Sequence, residues 1–247
     1  KNKLFIWGIL AIIFLLSFQI YHAHSQNIRD TSSYVSVVRG EVFHNSIALI
    51  ENERKKLSAG DIVRTWLESI AVIEWWDGSI TRLWELSEIQ LTRDIVSEDK
   101  SYINISFELF SGKSWSQVVS FLGNDSSFTQ EFEGLEAWVR GTIFDIDLES
   151  WFIRTSEHAV EILGPDNLRV VITPEKPFDI VKQVFIDMDV FLRAFTDTSW
   201  TDFNILSDRE YRQKLIQELE KNSRAFNPFL KIMEWLSPKY RILYELD

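Results

Sequence analysis

Between residues 34 and 172 the apolar positions recur with a period of two. The clearest case is Tyr102–Leu109, where Ile103, Ile105, Phe107 and Leu109 fall on one face and Asn104, Ser106 and Glu108 on the other, as a half-buried strand requires. Similar short runs lie at Tyr34–Val38, Asp61–Thr65, Ser69–Glu74, Ser79–Leu83, Glu88–Thr92, Thr142–Asp147, Ala159–Leu163 and Leu168–Ile172. Turn signals separate them: Ala59-Gly60-Asp61, Asp77-Gly78, Ser111-Gly112 and Gly164-Pro165. Many short strands at close spacing predict a mainly β fold, in the form of a sandwich, a jelly roll or a short solenoid. Asp77-Gly78 between two apolar runs predicts that Ser69–Glu74 and Ser79–Leu83 pair as an antiparallel hairpin.

Beyond about Pro174 the period changes to about 3.6. Ile180, Val181, Val184, Phe185, Met188, Phe191, Leu192 and Phe195 follow Pro177 and Asp179, which suit a helix start. Ser207 and Glu210 have the spacing of a capping box, and Asn227-Pro228 opens a shorter helix to about Trp235. A helical region over 174–247 is therefore expected behind a β domain over 33–173.

At the other end, the eighteen residues Leu4–Tyr21 carry no charged side chain and follow Lys1 and Lys3. About 18 apolar residues suffice to cross a bilayer core, and basic flanks stay on the cytoplasmic side. Residues 1–25 are thus expected to be an uncleaved signal anchor or a signal peptide cut after Ala23 and Ser25. Either way, the remainder is expected outside the membrane, periplasmic or cell-surface; an anchor makes the protein single-pass.

Composition narrows the partners. A formal charge of −11 and a pI near 4.9 set up a field that repels phosphate backbones, so nucleic acid is not an expected partner. The absence of cysteine removes disulfides, thiolate nucleophiles and zinc–thiolate sites, leaving the core to hold an exported domain together.

The order of several short segments resembles the FecR domain family. These are Val38-Arg39-Gly40-Glu41-Val42, Leu57-Ser58-Ala59-Gly60-Asp61-Ile62-Val63-Arg64-Thr65, Ser69-Ile70-Ala71-Val72-Ile73, Asp77-Gly78-Ser79, Arg82-Leu83 and Ser87-Glu88-Ile89. They continue with Leu109-Phe110-Ser111-Gly112-Lys113-Ser114-Trp115-Ser116 and Val139-Arg140-Gly141-Thr142 before Phe144. The resemblance covers about Val37–Leu163 and implies an all-β extracytoplasmic domain that receives a signal by protein contact. In the best-known members a cytoplasmic anti-sigma segment precedes the membrane span, and three residues precede it here, so a location and a binding role are expected ahead of any one pathway. The expected function is a sensing or binding module whose partner is another envelope protein or a cell-surface ligand. A structural cell-envelope protein is the alternative.

No enzyme, cofactor or metal is expected. His22, His24, His44 and His158 have no metal-ligand spacing, and no phosphate loop or nucleophile elbow occurs. Asp145 and Asp147 share one side of a strand and read as a solvated face before a paired carboxylate. The motifs Asp77-Gly78-Ser79 and Arg140-Gly141-Thr142 are the candidate binding or structural sites, with Arg140 expected in a surface or inter-strand ion pair.

Ten tryptophans against nine glycines is an unusual balance, since glycine makes up about 7% of an average chain. Family members commonly carry glycine at the positions of Trp66 and Trp84, and Trp138 and Trp151 stand at comparable places. Two readings stay open: UGA codons read as glycine in the source organism, or a tryptophan-rich surface for carbohydrate or protein binding. The first places these indoles at turns without partners; the second gathers them on one surface.

Overall fold

The computed structural model describes residues 32–96, 103–119, 126–194 and 198–225. The run Leu4–Tyr21 and the helix expected over Asn227–Trp235 lie outside them. Among the described residues no helix is long and apolar enough to cross a membrane.

Strand is the dominant secondary structure among the described residues, arranged as two sheets between which the chain passes back and forth. It begins in the first sheet with β1 (Tyr34–Arg39), crosses for β2 (Val42–His44) and β3 (Ile47–Ala48), and returns for β4 (Arg54–Lys56). β5 (Ile62–Thr65) lies in the second sheet, β6 (Ile70–Glu74) and β7 (Ile80–Leu83) in the first, and β8 (Glu88–Val96) and β9 (Ile103–Ser111) in the second. Then come β10 (Lys113–Gln117) in the first, β11 (Ser127–Phe132) and β12 (Leu135–Val139) in the second, and β13 (Ile143–Asp147) and β14 (Phe152–Thr155) in the first. β15 (Val160–Leu163) and β16 (Arg169–Ile172) close the second sheet; β17 (Phe178–Asp179) and β18 (Val184–Phe185) close the first.

Strand order within each sheet nearly follows chain order, so each element finds its partners close by in sequence and loop closure costs little. Each hairpin spent in one sheet reverses the chain before it re-enters the other, which keeps neighbours antiparallel. Between β9 and β11 only the single strand β10 intervenes, and that pair is parallel. The expected hairpin forms, with Ile73 opposite Thr81 and Glu74 opposite Ile80.

Alternation drives the core. Ile73, Leu83, Phe144, Ile146 and Ile153 of the first sheet meet Val63, Leu91, Ile105, Phe107 and Phe128 of the second, all essentially without solvent contact. Each such side chain contributes about 1.5–3 kcal/mol on burial, the main stabilisation available to a chain without disulfides. Trp75 anchors the middle, stacked on Phe107 at 5.2 Å and edge-on to Phe128 at 5.9 Å, with its indole N–H donating to Thr81 Oγ1 at 2.9 Å.

The first sheet departs from simple alternation, because all five residues of β13 are buried. Its outer face carries Arg82, Trp115 and Asp145, each at most 5% exposed. Asp145 and Asp147 are therefore not a solvated face, as expected from sequence, but buried and paired. Asp145 accepts from Arg154 Nε at 2.7 Å; Asp147 lies 3.3 Å from Lys113 Nζ and accepts the backbone N–H groups of Glu149 and Ser150.

The helix expected from Ile180 does not form there. Phe178 is buried opposite Ile153, and the open edge of β14 gives the backbone of β17 and then β18 a ladder to join. Asp179 accepts the N–H of Lys182 and shapes the turn instead of starting a helix. Helix α1 (Met188–Ala194) starts two turns later, with Asp187 Oδ1 accepting from Asp189 and Val190. Helix α2 (Ser199–Ala225) starts at Thr198, whose hydroxyl donates to Asp202, so Ser207 and Glu210 lie inside it and cap nothing. The chain divides into two compact units, Lys1–Phe191 and Leu192–Asp247.

Candidate functional site

The two motifs singled out in the sequence come together on one long side of the sandwich. Gly78 at φ +93° makes the turn between β6 and β7, and Asp77 accepts from Ser79 N–H at 2.9 Å and Ser79 Oγ at 2.7 Å. Ser79 Oγ accepts the N–H of Val119 at 3.0 Å, while the carbonyl of Thr142 accepts that of Val118 at 2.9 Å. The two motifs thus hold the end of β10 from both flanks. Thr142 Oγ1 is bonded to Thr155 Oγ1 at 2.9 Å and to the Glu157 carbonyl, and Gly141 takes φ +63° where β12 crosses to β13. Ser79 and Thr142 are buried, so these residues build corners; Arg140 beside them is exposed.

Burial holds the Asp77 carboxyl above its ordinary pKa, against the pull of its Ser79 bonds. Asp77→Asn keeps an acceptor for Ser79 N–H without burying charge and is expected to leave stability within about 0.5 kcal/mol of wild type. Asp77→Ala loses the turn and is expected to cost about 1–2 kcal/mol in chemical denaturation.

The opposite long side has a different character. Two corners with the same spacing, Trp66-Leu67-Glu68-Ser69 and Trp84-Glu85-Leu86-Ser87, carry the chain between sheets after β5 and β7. In each the third residue has positive φ, Glu68 at +56° and Leu86 at +56°. The serine then accepts the N–H that follows a facing glycine: Ser69 from Glu41 after Gly40, Ser87 from Lys113 after Gly112. The tryptophan N–H reaches the same strand entry, Trp66 to Glu41 O at 3.0 Å and Trp84 to Lys113 O at 3.1 Å. The β13–β14 hairpin ends on this side as well, with Lys113 opposite Asp147 and Leu148 N–H donating to Gly112 O at 3.0 Å. Its turn presents Trp151.

Trp66, Trp84 and Trp151 therefore follow one another along a single side. Trp66 is 60% exposed and Trp151 39%, with Leu67 and Leu86 exposed beside them. Trp84 is half-buried under the Arg39 guanidinium, 5.5 Å from its ring centre. Trp138 stands apart on the outward face of β12, its indole N–H donating to Glu136 at 2.9 Å. Three of the four lie both at turns and along one side, so their placement fits either reading of the tryptophans. Positive φ, the mark of a glycine position, occurs among the four at Trp151 alone, at +59°.

The ridge is acidic at its margins through Glu41, Glu68, Glu85 and Glu149, and its cations are engaged. Arg64 pairs with Glu88 through bonds of 2.6 and 3.0 Å; Arg39 donates to the Glu68 carbonyl; Lys113 lies between Asp147 and Glu149. Burial presses on the Lys113 ammonium, and the two carboxylates more than offset it, holding its pKa above the ordinary value. In the sequence the tryptophans stand out, Arg64 and Glu88 are marked only as parts of the FecR-like segments, and Leu67 carries no signal. The signal available was the repeated Trp-x-x-Ser, each opposite a glycine.

Elsewhere, His44 is 2.9 Å from Asp61, which also accepts from Asn45 at 2.6 Å. Burial pushes the Asp61 carboxyl up, but these bonds prevail and hold its pKa down. Among the described residues no group of three or more His, Asp or Glu side chains is placed to hold a metal ion.

No protein-family model matches the chain, and no curated protein matches it. Among solved structures it is similar to two crystal structures of a chain described as a candidate anti-sigma factor from Parabacteroides distasonis, with TM-scores of 0.40 and 0.41 and 11% identity in each. The match covers 51% of this chain and 57% of that one, so this chain spans little more than half the length of the proteins it resembles, and the likeness carries no functional argument.

Proposed function

We propose that this protein is a membrane-tethered, extracytoplasmic binding or sensing module of FecR-like type, not an enzyme, and that it engages an envelope protein or a cell-surface ligand through the Trp66–Trp84–Trp151 side. The observation that carries this reading is the alignment of three indoles, two of them well exposed, along one side of a sandwich whose other apolar residues are mostly inside. Aromatic side chains at this exposure expend burial energy that folding alone would recover, and such surfaces mark interaction sites. The uncharged run at Leu4–Tyr21 supports tethering and export. A purely structural envelope role would instead use the open strands at the sheet ends, β3 and β4 or β16 and β18, and leave the ridge bare.

Because the chain has no cysteine, single cysteines report cleanly. Leu67→Cys, Ser150→Cys and, on the face away from the ridge, Glu136→Cys are treated with a membrane-impermeant maleimide. On intact cells Glu136→Cys is expected to react at the rate of the purified protein, and the two ridge cysteines several-fold more slowly. Reaction of all three only after lysis would remove the extracytoplasmic location; equal rates at all three on intact cells would remove the binding side.

A further inference from the structure

Resting on the reading of this side as the binding face, we infer that the groove between the Trp66 and Leu86 corners binds a neutral saccharide. The groove has a volume of about 410 Å³, within the roughly 300–1,000 Å³ of small-ligand sites. Its apolar wall is Phe43, Trp66 and Leu86, and Arg64, Glu88 and Ser111 supply its polar side. Thr65 and Ser87 are lining residues too, but they are buried and bonded to each other through Ser87 N–H and Thr65 Oγ1 at 2.9 Å, which fixes the floor.

Three features select the ligand class. The Trp66 indole offers a flat apolar platform beside polar groups, matching a pyranose with one C–H face and a hydroxyl rim. Its ring N–H has no partner among the described residues.

The charges of the groove cancel locally. Arg64 and Glu88 form a two-bond fork, with side chains 42% and 30% exposed. A cation entering would meet the guanidinium and an anion the carboxylate. Hydroxyl groups, which both donate and accept, suit the N–H groups of Arg64 left over by the fork and the free lone pairs of Glu88.

The strands beneath, β2, β5, β8 and β9, are each paired on both sides within the second sheet. These four strands offer no open edge to an extended peptide, one of the ways a sheet takes up a protein segment.

The test titrates the full chain with chitohexaose, cellohexaose and maltohexaose, and with hyaluronan hexasaccharide and hexalysine as charged comparators, by calorimetry and tryptophan fluorescence. At least one neutral hexasaccharide is expected to bind with Kd between about 10 μM and 1 mM. Trp66→Ala is expected to weaken it at least about tenfold, Trp66→Tyr to retain most of the binding, and Trp138→Ala to change nothing, with thermal unfolding confirming that each variant is folded. Absence of binding by all three at about 10 mM, binding indifferent to Trp66→Ala, or tighter binding of either comparator through Trp66 would overturn the inference. Maleimide protection of the ridge on intact cells together with failure of all three sugars would leave the binding side standing and remove the saccharide alone.

Discussion

Arg154→Ala is expected to lower the free energy of unfolding by about 3–5 kcal/mol at neutral pH. Asp145 is 1% exposed, and the guanidinium of Arg154 lies 2.7 Å from its carboxyl, 5.9 Å from the ring centre of Trp115 and 5.5 Å from that of Phe191. Burial already raises the Asp145 pKa while Arg154 opposes the rise. Removing the cation raises the folded-state value further above the unfolded one. Above that folded pKa the variant carries an uncompensated buried charge; as pH falls through it, the native state takes up a proton and the penalty is relieved. The deficit measured by urea denaturation should therefore shrink from pH 7 toward acid. Asp145→Asn placed in the Arg154→Ala background should recover part of it at neutral pH, and a deficit that grew on acidification would show that the carboxyl is not the group left exposed.

Gly112→Ala is expected to cost about 2–4 kcal/mol, more than a glycine-to-alanine change on an ordinary surface. Gly112 has φ +78°, and a Cβ there would lie 2.5 Å from Ser87 Cα and 2.2 Å from Ser87 Oγ. The obstacle is backbone, so the corner must open. Opening it breaks the bonds of Ser87 Oγ with Lys113 N and O, at 2.9 and 3.1 Å, and shifts Trp84 with them. Stability by chemical denaturation and reactivity at Leu67→Cys should change together. A Gly112→Ala protein as stable as wild type would mean that Ser87 stands farther from Gly112 than the 2.5 Å approach of its Cα to an added Cβ.

Much of this architecture is legible in the chain because alternation reports which face is buried. The β9 residues Ile105, Phe107 and Leu109 read directly as core, and Gly60, Gly78, Gly112 and Gly141 all sit between strands with positive φ. Alternation cannot say what covers the other face. Asp145 and Asp147 look solvated in Ile-Phe-Asp-Ile-Asp, and only the tertiary placement of Arg154 and Lys113 shows them as buried, paired charges. Helical spacing from Ile180 to Phe185 is outweighed by an unpaired strand edge, since β14 satisfies the backbone of Phe178–Asp179 more locally than a new helix would, whereas from Met188 the same spacing does give helix α1. The candidate site was half legible. Asp77-Gly78-Ser79 and Arg140-Gly141-Thr142 stood out by motif and prove to be corner-builders. The side proposed for binding is marked by Trp66, Trp84 and Trp151, which are separated in sequence and brought to one side by repeated crossings between sheets.

The proposed function requires that side to be occupied in the cell. A photoreactive amino acid placed singly at Leu67, Trp84, Ser150 and Trp138 of the full chain, irradiated in intact cells, tests this most directly. The expected result is a discrete higher-mass adduct, protein or glycan, at Leu67, Trp84 and Ser150 and none at Trp138. Adducts at Trp138 alone, or none at any of the three ridge positions, would contradict it.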